Sequence, residues 1–319
     1  MALIVASLII RRRYAARLVC LLALLMMCND SSMAASNPFP PARLSVVDAY
    51  EGQAAFAAAA RNDSQGELLQ LWRSNVVEPY LNRCAGGGDY FELAQGMLSR
   101  PITNLAGLES EIAKLSENNA AVHQAIDIVF AKAEKLLPAP DTQLCVFAAD
   151  PESTIIRDMG GISGVTAGAG KIIFWVRPDG NWRDWLPFTF AHEYHHSAWT
   201  ALHSDDLPLF DLAEYLIFEG RADSFAHVIF PQQVAAWDKA LNPEQEAAAW
   251  KQMKSDLDSP DMMAQRRYMF GGQGVPRWAG YAIGFHIVQA YLHTHPGATV
   301  EDWTKLNAHA LIDQSGYSP

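Results

Sequence analysis

Phe190-Ala191-His192-Glu193-Tyr194-His195-His196-Ser197-Ala198-Trp199 is the stretch from which the rest of the chain is read. It contains His-Glu-x-x-His, and on an α-helix that spacing sets His192 and His196 one turn apart on the same face. Two imidazoles presented in this way supply half of a tetrahedral zinc site. Glu193, beside the first of them, is placed to act as general base on a water at the metal. The preceding residues, Asp184 to Thr189, put an acidic side chain and Pro187 where helix starts favour them. Phe188, Ala191, His195 and Ala198 recur at helical spacing, with neither Gly nor Pro between Phe188 and Leu202. The motif is therefore expected on a helix of about four turns that starts near Pro187.

A catalytic zinc takes three protein ligands and leaves one position open, so a third donor is needed downstream. His203 would extend the motif as in metzincins, but that pattern requires Gly at 199 and His at 202, where this chain has Trp199 and Leu202. Asp205 and Asp206 offer oxygens, yet they lie in the turn before Pro208, where Asp serves as turn former and helix cap. Glu219 lies in a different setting. Leu209 to Phe230 contains no Pro and one Gly, with apolar residues at Leu212, Leu216, Ala222, Phe225, Ala226 and Ile229, the pattern of a long, mostly buried helix. Charges inside such a helix are costly unless paired or bound to metal. Glu219 and Asp223 share one face at i and i+4. Glu219 is then the third ligand and Asp223 the acceptor for the outer ring N–H of a ligand histidine. The alternative is an exposed face, or an ion pair of Glu219 with Arg221.

Three segments, His192-Glu193-Tyr194-His195-His196, Phe218-Glu219-Gly220-Arg221-Ala222-Asp223 and Gly280-Tyr281-Ala282-Ile283-Gly284-Phe285, resemble a bacterial family known as predicted zinc-dependent proteases with a domain of unknown function. The active-site layout of that family is similar to that of gluzincins such as thermolysin. The likeness runs from near Leu69 to the C-terminus. It implies a zinc cofactor on His192, His196 and Glu219, Glu193 as base, and a peptide or protein substrate of unspecified sequence. Such chemistry also needs a donor to the oxyanion, often a Tyr, His or Arg from outside the zinc helices. Tyr281 is the first choice because it opens a helix in the family-like Gly-Tyr segment, with His286, Arg277 and Tyr268 behind it. Packing is the alternative for each.

Residues 1–34 read as an export signal: Arg11, Arg12, Arg13 and Arg17 precede the apolar run Leu18 to Met27, and Ser32-Met33-Ala34 is a small-x-small cleavage site. The run is too short to span a bilayer comfortably, so no stable membrane insertion is expected after cleavage. The destination is the periplasm or the exterior, with a lipoprotein acylated at Cys28 as the alternative. Cleavage leaves 285 of the 319 residues and takes the formal charge from -11 to -14, because the leader holds four Arg and Asp30. An acidic chain without a basic stripe is not expected to bind nucleic acid. Cys84 and Cys145 remain, about 60 residues apart, available for a disulfide in an oxidising compartment.

Residues 35–43 read as a Pro-rich linker and 44–140 as an N-terminal helical region, with patterns over Val46 to Ala60, Glu67 to Tyr80, Tyr90 to Leu98, Leu105 to Leu115 and Ala120 to Leu137. Residues 141–319 read as the catalytic region. Leu144 to Ala148 and Ile172 to Val176 are rich in β-branched and aromatic residues and read as strands, with the Gly-rich run Gly160 to Gly170 between them as hairpin or cleft-edge backbone. Ile172 to Val176, or the adjacent Gly-rich strand, is the expected partner for substrate main chain. Gln232 to Leu257 reads as a covering hairpin and Trp278 to His293 as the last helix. The expected class is α+β, mostly helical, with a small sheet packed against the zinc helix in a gluzincin-like manner. Two rivals remain: a periplasmic binding or scaffold module retaining a structural zinc site, and a zinc hydrolase of a non-peptide amide. Oligomeric state is not legible from the residues.

Overall fold

Asp48 marks where the first helical pattern is redrawn. The computed structural model describes residues 39–62, 67–204 and 210–319. In it Leu44–Val47 forms a strand, β1, and the helix begins only at Tyr50. Val46 and Val47 are β-branched, and their backbone groups find partners by pairing in parallel with a strand near residue 144. Tertiary pairing thus overrides a local pattern that continues smoothly into the helix. The Asp48 carboxylate then contacts His123 Nε2 at 2.9 Å, which accounts for the lone histidine of this half. The leader, Cys28, Asp205 and Asp206 lie outside the described residues.

After β1 come α1 (Tyr50–Arg61), α2 (Leu68–Trp72), a π-helical turn (Arg73–Val77), α3 (Glu78–Ala85), α4 (Phe91–Leu98), α5 (Leu105–Glu117) and α6 (Asn119–Leu136). The second half runs β2 (Thr142–Ala148), α7 (Thr154–Asp158), β3 (Ile162–Gly168), β4 (Lys171–Val176), α8 (Trp182–Leu202), α9 (Leu212–Ile229), α10 (Pro243–Met253), α11 (Met262–Phe270), α12 (Ala279–Thr294), α13 (Val300–Lys305) and α14 (Ala308–Ser315). This is α+β and mostly helical. The stretch read as a covering hairpin contains α10, and α7, α11, α13 and α14 have no counterpart in the sequence reading.

The four strands lie in the order β1-β2-β4-β3. β1, β2 and β4 are parallel and β3 is antiparallel to β4. Leu144, Cys145, Val146, Phe147 and Ala148 are all fully buried, as expected of a central parallel strand covered on both faces. The Gln53 amide caps the end of β2: its Nε2 donates to Ala148 O (3.0 Å) and its Oε1 accepts from Ala148 N (2.7 Å). Cys84 of α3 and Cys145 of β2 form a disulfide. Both this bond and the β1–β2 pairing cross the 140/141 boundary, and Phe39–Pro319 makes one compact unit.

α8 is buried along most of its length after a partly exposed first turn. Phe190 meets Phe174 of β4 (6.3 Å between ring centres) and Phe130 of α6 (6.5 Å), and Tyr194 stacks on Phe225 of α9 (6.2 Å). The helix starts at Trp182, so Pro187 sits inside it rather than at its first turn. The carbonyl that Pro187 leaves without an i+4 donor is that of Arg183, an exposed residue of the first turn. Among the described residues no helix is long and apolar enough to cross a membrane.

α9 and α12 cross at their glycines. A Cβ on Gly220 would lie 2.2 Å from Gly284 O, and one on Gly284 would lie 2.0 Å from Leu216 O. Gly in a helix interior costs about 1 kcal/mol relative to Ala, and here the backbone contact it permits offsets that cost. The obstacle is main chain, so Gly284→Ala should push the two helices apart and destabilise the protein by about 1–3 kcal/mol in urea denaturation. Gly96→Ala, at an exposed helical glycine with nothing within 4 Å, should instead stabilise by about 0.5–1 kcal/mol. Equal effects of the two substitutions would refute the close crossing.

Candidate metal centre

Three side chains from two helices converge on one point. His192 Nε2 and His196 Nε2 lie 3.0 Å apart, and Glu219 Oε2 lies 3.3 Å from the first and 3.4 Å from the second. All three residues are almost entirely buried. Neighbouring ligands of a tetrahedral ion with bonds of about 2.0–2.1 Å are separated by about 3.3 Å. The triangle matches that spacing. The donor chemistry agrees: two imidazole nitrogens facing each other beside a carboxylate share at most one proton, whereas a cation accepts all three lone pairs. The residues present therefore fit a zinc ion.

The electrostatics point the same way. Burial pushes the Glu219 carboxyl up, but the His196 and His192 imidazoles beside it outweigh burial and hold it down at about 2. Burial likewise disfavours a charged His192, and the Asp223 carboxylate, with Glu219 and Glu193 further on, overrides this and raises its pKa well above the usual range. Three carboxylates therefore favour positive charge at His192, the kind of setting in which a cation is held.

Asp223, one turn beyond Glu219, takes His192 Nδ1 at 2.9 Å. This fixes the tautomer that leaves Nε2 free. Arg221, the alternative partner for Glu219, instead pairs with Glu214 at 3.5 Å and donates to Leu306 O. His196 is positioned by stacking on Phe218, with ring centres 3.8 Å apart. His195 faces away, contacting Thr304 Oγ1 at 3.1 Å and stacking on Trp303. His203 is bound to Trp199 O and stacked on the Trp199 indole. Neither histidine supplies a fourth ligand.

Glu193 is held from the sheet. Thr166 Oγ1 lies 2.8 Å from Glu193 Oε2 and donates there or to Glu193 O at 2.9 Å. Gly164 makes the room: a Cβ there would lie 2.6 Å from Glu193 Cγ and 2.8 Å from Oε1. The Gly-rich strand is thus β3, a strand at the sheet edge, and it seats the Glu193 carboxylate. Ile172 to Val176, the other strand considered for substrate, is corrected to an interior position: β4 is paired on both sides, by β2 and β3, and has no free edge.

Of the four oxyanion candidates, three are engaged elsewhere. Tyr268 donates to Asp256 Oδ2 (2.6 Å), His286 contacts Glu246 Oε1 (2.7 Å), and Arg277 lies over the Trp278 ring and reaches Asp158. Tyr281 is half-buried near the centre, where burial first, then the negative charge of Glu219, raises its pKa well above the usual range. Tyr215 of α9 is its neighbour. Tyr215 precedes Glu219 by one helical turn, a spacing that was available in the sequence and not used. Thr166 and Gly164 carried no signal, because a strand of small residues looks the same whether or not a carboxylate lies across it.

Asp211, Asp258 and His309 also approach one another, with 3.0 Å between His309 Nε2 and Asp211 Oδ2. Asp258 is 95% exposed, and Asp211 is already occupied in capping α9 through Glu214 N. This trio is a surface ion-pair cluster.

The candidate centre is therefore of the two-histidine, one-glutamate kind, carried by two helices with the Glu193 carboxylate on the first. A family model described as "Predicted Zn-dependent protease (DUF2268)" matches residues 122–313, and the chain belongs to that family. It is 28% identical over 223 residues to uncharacterized protein YjfC of Bacillus subtilis, covering 65% of this chain and 71% of that one. It is also 27% identical over 180 residues to uncharacterized protein YjaZ of the same organism, covering 54% and 67%. No solved structure matches.

Behind the centre, Asp238 is buried beside His227 Nε2 at 3.2 Å. Its pKa is pushed up to about 7, by burial first and then by the charge of Asp223, against the pull of His227. Between the ordinary carboxyl range and about pH 7, folded Asp238 keeps a proton that the unfolded chain has released. Stability then falls as pH rises through that window. Asp238→Asn should flatten this slope, on the order of 1–4 kcal/mol between pH 4 and 7, measured by urea denaturation at stepped pH. An unchanged slope would refute the assignment.

Proposed function

We propose that this protein is an exported zinc-dependent metallopeptidase with a gluzincin-like site. The observation that carries the reading is the convergence of His192 Nε2, His196 Nε2 and Glu219 Oε2 within 3.4 Å of one another, with the Glu193 carboxylate seated next to them on β3. The family description supports the protease class. A purely structural zinc site has no use for a base beside its first ligand.

Zinc bound by His192, His196 and Glu219 would supply Lewis acidity to a water and to the scissile carbonyl. Glu193 takes the proton of the attacking water, with Thr166 holding its carboxylate in place, and passes that proton to the leaving amine. Tyr281 donates its hydroxyl to the developing oxyanion, and its high pKa keeps the phenol protonated for that task. The edge of β3 offers main-chain groups to an extended peptide running past Glu193. The Arg-rich leader and the disulfide suit an exported protein in an oxidising compartment.

Purified protein with zinc, incubated with a diverse peptide library and read by mass spectrometry, should yield cleavage products. Glu193→Gln should retain zinc and lower turnover by roughly 100-fold or more, whereas Glu219→Ala should lose zinc. The reverse pattern would overturn the roles. Cleavage by neither wild type nor variant, with zinc bound, would favour a non-peptide amide or a binding module.

Tyr281→Phe should lower kcat about 10- to 1,000-fold with zinc content unchanged. Unaltered kcat would remove Tyr281 from the reaction.

A further inference from the structure

Asp223 is fully buried, and a carboxylate in that position needs partners for both oxygens. Its Oδ1 takes His192 Nδ1 at 2.9 Å and its Oδ2 takes Trp237 Nε1 at 3.0 Å. Trp237 lies 14 residues beyond Asp223, in the loop between α9 and α10. An indole nitrogen is a donor only. It cannot accept a proton from Asp223, so it stabilises the ionised carboxylate and leaves Oδ1 as the acceptor for His192 Nδ1–H. The imidazole is then held in the tautomer whose Nε2 lone pair faces His196 and Glu219.

The indole is itself fixed by packing. Trp185, from the first turns of α8, lies 6.3 Å from it, and Trp278, at the start of α12, lies 6.2 Å away in an edge-on contact. The Arg277 guanidinium closes the stack at 3.9 Å over Trp278. The loop is pinned by its neighbour as well: Asp238 Oδ2 accepts from Ala235 N and contacts His227 of α9. α8, which carries His192 and His196, α9, which carries Glu219 and Asp223, and the start of α12, which carries Tyr281, all make contact with Trp237.

We propose that Trp237 is a positioning residue for the metal ligand His192, acting through Asp223, so that the loop after α9 sets the zinc affinity of the centre. This rests on the metal-centre reading above. The mechanism is separable from packing, because phenylalanine keeps an aromatic ring at 237 and removes only the donor and part of the ring area.

The test uses the full chain, stripped of metal and titrated with Zn2+ against a chelating competitor. Trp237→Phe should weaken zinc binding about 10-fold or more, the usual effect of losing an outer partner of a metal ligand. In an Asp223→Ala background the same substitution should have no further effect, since its route to His192 is gone. Trp250→Phe, at a buried indole of α10 packed on Tyr317 and outside this relay, should leave zinc affinity at the wild-type value. Unchanged affinity in Trp237→Phe, or an equal loss in both backgrounds, would overturn the proposal while leaving the metal centre intact. Failure of the wild type to bind zinc would instead overturn the centre itself. Should Trp237→Phe not fold, hydrogen exchange of the Trp237 indole N–H decides: protection in the wild type that disappears in Asp223→Ala supports the relay, and equal protection in both refutes it.

Discussion

Burying three carboxylates and two imidazoles between two apolar helices is the constraint around which this structure is arranged. Glu193, Glu219 and Asp223 are all withdrawn from water, and each such charge costs several kcal/mol unless neutralised or hydrogen-bonded. The molecule answers by giving each a dedicated partner from a different element. Asp223 has His192 and Trp237, Glu193 has Thr166, and Glu219 has both histidines. What remains is a cluster whose donors face one another, and a divalent cation would complete it.

Space is the second half of the same design. The metal helix can lie flat on the sheet because Gly164 has no side chain where Glu193 must pass, and the two helices behind it approach through Gly220 and Gly284. Larger residues at these positions would move the Glu193 carboxylate away from His192, His196 and Glu219, or Tyr281 away from Glu219. The glycines of the Phe218–Asp223 and Gly280–Phe285 segments are thus packing residues with a functional consequence, since the crossing they permit decides how near Tyr281 comes to the centre. Front and back of the chain are joined at the sheet, where β1 pairs with β2 and Cys84 is bonded to Cys145, so the helices of the first half buttress the strands that seat Glu193.

Much of the centre was legible before folding because it is local. His192, Glu193 and His196 share a helical face by spacing alone, and Glu219 and Asp223 do so on the next helix. Carboxylates in a mostly apolar, buried helix are a conspicuous departure from pattern. The α+β class followed from the change in hydrophobic period after residue 140. The errors fell where a long-range partner overrides a local preference. Val46 and Val47 joined a sheet, Pro187 was tolerated inside a helix one turn beyond its partly exposed start, and Ile172 to Val176 was paired on both sides.

Residue order therefore specified which side chains can share a helical face, since helical periodicity is a property of the chain itself. It left open which elements meet. Thr166 against Glu193, Tyr215 beside Tyr281, and Trp237 against Asp223 join residues 14 to 66 positions apart, and no periodicity carries information across such distances. Those contacts follow from the edge position of β3, the glycine crossing of α9 and α12, and the aromatic stack around Trp237, each a consequence of how the core closes.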